Sequence, residues 1–151
     1  MKYSGDTEAR LLEAIRQETE AFGQMLEMTK GQAELIAADD IEGFDKSLDR
    51  RQKHIEKING LHQGTGVLMQ SYISHMRSAG GKKNIDIEAA SAQLRDLIAK
   101  CAEINEKNMT AAKEKAEGYT QRIDKLSKDR KTLGSYIQTV ENVPEMFDKM
   151  T

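Results

Sequence analysis

With 151 residues, 5% of them aromatic and none of them tryptophan, the chain has little material for a compact globular core, and an elongated helical core is the natural solution. A formal charge of −2 excludes a chain held on nucleic acid by bulk electrostatics, and a single cysteine excludes an internal disulfide framework. No window approaches the roughly 18 apolar residues of a membrane span.

Charged residues make up 32% of the chain and proline occurs once, which is the composition of long solvent-bathed helices rather than strands. The expected fold is all-α: an elongated antiparallel bundle or coiled coil of three long helices, in one domain spanning residues 1–151. The opening MKYSGDTEARLLEAI lacks the apolar stretch of a secretory signal, so a cytoplasmic location is expected.

Asp6 and Thr7 are candidate N-caps of the first helix, with Glu8 and Glu13 early in it, where the helix dipole favours acids. Leu12, Ile15, Thr19, Phe22, Leu26, Thr29, Ala33 and Ile36 then recur at spacings of three and four, the seam of a coiled coil. A second stripe runs through Leu11, Ala14, Ala21, Met25, Met28 and Leu35. It reads either as the wider face of a three-helix core or as a methionine-rich surface that repacks around a partner helix. The helix ends near Ala38, and Asp40 caps the next.

The second seam is Ile41, Phe44, Leu48, Arg51, Ile55, Ile58, His62, Thr65, Met69, Tyr72 and Met76. Gly60, Gly64 and Gly66, each costing nearly 1 kcal/mol relative to alanine, predict a kink or break at 60–66. Residues 78–85 are expected to form a loop, with Asn84 or Asp86 capping the third helix. The third seam runs Ile87, Ala90, Leu94, Leu97, Cys101, Ile104, Asn108, Ala112, Ala116, Tyr119, Ile123, Leu126, Arg130, Leu133, Ile137 and Val140. Between Ile104 and Ala116 its spacing becomes four, four, four, which predicts a slip in phase.

Helices of about 32, 38 and 54 residues would span roughly 48, 57 and 81 Å. The third therefore either breaks near Gly118 or overhangs the other two with its apolar stripe uncovered, awaiting a partner or a second copy of the chain. Pro144 ends any helix and leaves 141–151 as an irregular tail. Residues 1–49 carry twelve acids and five bases, and residues 107–131 eight bases and four acids. Antiparallel packing would lay one segment against the other, although both read equally as solvated faces.

Nothing in the chain has the pattern of an enzyme, metal or cofactor site. His54, His62 and His75 are too far apart for a helical metal pair, and neither a phosphate-binding loop nor a nucleophile elbow occurs. Cys101 lies on the seam, where a small buried hydrophobe is the default. His54, with Lys57 three positions on, supports an alternative reading as the phosphorylated histidine of a phosphotransfer bundle, which requires it to be exposed.

Several segments in order carry a family likeness: Leu11, Leu12 and Glu18 opening a long helix; Leu35-Ile36-Ala37-Ala38-Asp39-Asp40-Ile41 breaking it; then Arg50-Arg51-Gln52-Lys53 before Ile55 and Ile58. That order resembles the FlgN-type flagellar export chaperones. Glu103-Ile104-Asn105-Glu106-Lys107-Asn108 resembles the paired asparagines on that family's long C-terminal helix, and the likeness extends over about residues 8–140.

The resemblance implies a chaperone that binds the disordered terminal segment of hook-associated proteins, prevents premature assembly and delivers them to the membrane export gate. Asn105, Asn108, Met109, Tyr119, Ile123, Leu126, Leu133, Tyr136 and Ile137 are then the expected partner-binding residues. The two asparagines read equally as a buried polar pair that sets helix register. Tyr136-Ile137 stands where the family more commonly has Tyr-Gly. A coiled-coil adaptor or a secretion chaperone for other clients is the alternative with the same helices.

Overall fold

The structure, a computed structural model, describes residues 5–80, 82–115 and 125–137. Its helices are α1 (Gly5–Ala37), α2 (Ile41–Ala79), α3 (Ile85–Glu114) and α4 (125–137), and no strand occurs among the described residues. The all-helical expectation holds, but the described residues form four helices rather than three. Instead of one helix running on from Ile87 to Val140, α3 stops at Glu114 with Lys115 as its C-cap. Helix α4 then runs antiparallel to α3, with Leu126 clustered with Met109 and Ala112, and Asp129, further along, sharing Arg51 with Asn105. Folding back buries Leu126 and Leu133, which would otherwise stand in water, so the overhang does not form. Gly118 lies outside the described residues.

Local chemistry sets the turns. Asp39 takes a left-handed φ of 55°, a conformation that Asp tolerates better than most residues. Asp40 caps α2, its carboxylate accepting from the Gly43 N–H at 2.9 Å. A Cβ at position 43 would stand 2.5 Å from that carboxylate and 2.9 Å from Leu35, so the cap requires glycine. Gly80, at φ 59°, ends α2, and Asn84 caps α3 by accepting from the backbone of Asp86 and Ile87. The Tyr72 hydroxyl and Glu8 hold Asn84 in place from α2 and α1.

Helix α2 is continuous across 60–66, where a kink or break was expected. A Cβ built on Gly60, Gly64 or Gly66 meets nothing within 4 Å, so these glycines face away from the packed surface. The inner side of the same stretch is tied down by Ile58 and Thr65, both buried, and by His62 on Glu18. Tertiary packing outweighs the glycines' poor propensity.

Helix α1 is central. It packs along both α2 and α3, which make no close backbone approach to each other. Its deepest line is Thr7, Leu11, Ile15, Glu18, Phe22, Met25, Thr29, Gln32 and Ile36, which passes between the two apolar stripes seen in the sequence. In α3 the buried line is Ile87, Ser91, Leu94, Ile98, Cys101, Asn105, Asn108 and Ala112, a regular alternation of four and three. The slip in phase is therefore absent up to Ala112. Asn105 occupies the seam position and Ile104 only flanks it, because a polar partner waits for Asn105 inside the bundle.

Candidate functional site

Because α2 and α3 are splayed on α1, a groove runs between them, and α4 fills it. Leu126 closes an apolar cluster with Ile36, Phe44, Leu48, Met109 and Ala112, one or more residues from every helix. Leu133 and Tyr136 join the main core with Phe22, Ile58 and Cys101. Tyr136 packs edge-on against Phe22 at 5.6 Å and over the His62 ring at 4.9 Å, and its hydroxyl donates to Asn59 Oδ1.

Between these apolar contacts lies a buried polar layer with one residue from each helix. Arg51, 0% exposed, directs Nη1 at Gln32 Oε1 (3.1 Å), Asn105 Oδ1 (2.7 Å) and Asp129 Oδ2 (3.2 Å). Its Nε donates to the Met25 sulfur at 3.3 Å. Its Nη2, equally buried, has no hydrogen-bond partner among the described residues. Burial pulls the Arg51 guanidinium below its ordinary value and pushes the Asp129 carboxyl above its own, and in each case the opposite charge only partly offsets burial. The pair is thus held through a single nitrogen and incompletely satisfied.

A second layer sits further along the bundle. Glu18, 1% exposed, accepts from His62 Nδ1 at 2.8 Å, and its Oε2 is left without a partner among the described residues. Gln32 and Asp129 escaped the sequence reading because an apolar periodicity passes over polar residues, while Glu18 and His62 were seen only as a helix-opening residue and a seam position without a partner. The signal that could have found them was Arg51 on an otherwise apolar seam, which demands acceptors from the facing helices.

The expected partner-binding residues that the structure describes divide into three groups. Asn105 and Met109 lie under α4, Asn105 also donating to the Leu126 carbonyl at 3.2 Å. Asn108 is buried on α1, donating to the Thr29 carbonyl at 2.9 Å. Leu126, Leu133 and Tyr136 are buried and Ile137 is half-buried on α4, while Tyr119 and Ile123 lie outside the described residues. Both asparagines thus sit as a buried polar pair between helices.

The phosphotransfer alternative does not survive the geometry. His54 is buried, and its Nε2 is committed to the Ala21 carbonyl at 2.6 Å. Cys101 is fully buried too, with burial pushing its thiol up to about 11, so it stays protonated at neutral pH. The acidic N-terminal and basic C-terminal segments do meet, through Lys115 on Asp39 (2.9 Å) and Lys125 on Asp49 (4.0 Å), but at exposed positions where such pairs contribute little. Among the described residues, no helix is long and apolar enough to cross a membrane, and no cluster of His, Cys, Asp or Glu could hold a metal ion.

No curated protein and no solved structure matches the chain. The family model described as FlgN protein, however, matches residues 1–139, which takes in all four helices and both polar layers. This chain belongs to the FlgN family of flagellar export chaperones.

Proposed function

We propose that the protein is a cytoplasmic chaperone for the hook-associated proteins of the flagellum. It binds their disordered terminal segment as a helix, keeps them from assembling early and delivers them to the export gate. The observation that carries this reading is the seating of α4: a short amphipathic helix placed between two long helices whose backbones do not approach each other closely.

A groove that accepts one such helix has the shape and polarity to accept another. In the client-bound state α4 leaves, and the client takes its place over Asn105 and Met109. The freed stripe of Leu126, Leu133, Tyr136 and Ile137 then offers the client a second apolar face. Asn108 holds the groove wall by its bond to α1. A client that must order on binding gives up part of its interaction energy, which keeps the complex releasable at the gate.

Calorimetry with C-terminal fragments of hook-associated proteins tests this. Binding at micromolar concentrations or tighter is expected. Absence of a complex at about 50 μM, a free energy weaker than roughly −6 kcal/mol, counts against the reading.

A further inference from the structure

We infer that Arg51 reads the client's register: the helix that replaces α4 carries a carboxylate at the position of Asp129, flanked by apolar residues three positions before and four and seven positions after it. The inference rests on the client-holding function proposed above. It goes further by stating what the client must present and which residue recognises it.

The argument begins with the occupant that the groove already holds. Helix α4 meets it with Leu126, Asp129, Leu133 and Tyr136, three apolar anchors and one acid, all 9% exposed or less. Arg51 projects from α2 into the layer where that acid arrives, and the other side chains on its Nη1, Gln32 and Asn105, are neutral. Asp129 is therefore the anion bonded to a guanidinium that has 0% exposure. When α4 leaves, a helix with only apolar residues would bury that charge without a counter-ion, which is costly. A helix with an acid in the same register restores the pair, and one shifted by a single position does not.

The seated α4 also leaves room for improvement. It engages Arg51 through Nη1 alone, while Nη2 is buried and has no partner among the described residues. A carboxylate on a longer arm, Glu in place of Asp, can span both nitrogens in the side-by-side geometry that guanidinium and carboxylate prefer. A client helix so equipped outcompetes the chain's own helix through the same groove. Asp129 is then a deliberately weaker placeholder, and Arg51 is a specificity-determining residue.

The test supplies α4 in trans. In the full chain, Leu126→Asp with Leu133→Asp removes two of the three apolar anchors of α4 and empties the groove while leaving Arg51, Gln32 and Asn105 in place. Labelled peptides of residues 122–140 are titrated against this variant by fluorescence anisotropy: the native sequence, Asp129→Asn and Asp129→Glu. If the double variant loses its helical signal, the full chain with Asp129→Arg, which repels its own α4 through Arg51, takes its place.

The native peptide is expected to bind, Asp129→Asn to bind at least tenfold more weakly, and Asp129→Glu at least as tightly, with the acid dependence lost when Arg51→Met is added to the chain. Equal binding of the native and Asn peptides, an acid dependence that survives Arg51→Met, or no binding of any peptide overturns the assignment of Arg51. Client fragments that bind in calorimetry would leave the chaperone reading standing in each of those cases. Conversely, acid-dependent peptide binding with no client binding would strike the chaperone reading alone.

Discussion

Tyr136 shows how much a single side chain on the returning helix carries. It is 6% exposed, hydrogen-bonded to Asn59 and packed on two rings, and burial, with a smaller push from the nearby Glu18 charge, raises its phenol to about 12. The folded state therefore holds the proton more tightly than the unfolded chain, whose tyrosines titrate near 10. The stability from this group is complete below pH 10 and is lost as pH rises through the folded value. A denaturant midpoint that falls between pH 10 and 12, and falls less steeply in Tyr136→Phe, is the expected result. Equal slopes in the two proteins would contradict the assignment. Tyr136 was visible in the sequence as a residue of an apolar stripe, but its neighbours were not, since Asn59 and His62 lie more than 70 residues away along the chain.

Among the elements, α2 is the one where local propensity and tertiary packing disagree. Its glycines at 60 and 64 face open space in an unbroken helix. Gly60→Ala and Gly64→Ala should each stabilise the protein by about 0.5–1 kcal/mol, read as a higher thermal midpoint, because alanine loses less backbone entropy on folding. Gly43→Ala should act in the opposite sense, costing about 1 kcal/mol through the disturbed Asp40 cap. A lower midpoint for Gly60→Ala would show that the outer face of α2 is packed after all. Helix starts were legible because caps are local chemistry: Asp40 and Asn84 stand where the sequence places them. The phase of α3 was not, because Ile104 looks like the seam residue until Asn105 is seen to have a partner 54 residues away.

At the scale of the whole molecule, α4 is the helix on which the bundle can open. Helices α1 to α3 share a core around Leu11, Ile15, Ile87 and Leu94, to which α4 adds Leu133 and Tyr136. Leu133→Ala, removing a side chain 2% exposed, should cost about 2–5 kcal/mol. That loss should fall first on α4: amide exchange at 125–137 is expected to accelerate by at least a hundredfold while the amides of α1 remain protected. Uniform acceleration across all helices would mean that the bundle opens only as one unit.

That the chain is helical, where two of its three main turns lie and which family it resembles are all legible along the chain, because periodicity, caps and composition act over a few residues at a time. That the third helix is broken rather than overhanging, that the paired asparagines are buried rather than presented to a partner, and that Arg51 gathers one polar side chain from each of the other helices are decided only in three dimensions. Those outcomes depend on which distant groups meet in the interior, where a polar atom is stable only with a partner, and no local pattern carries that information.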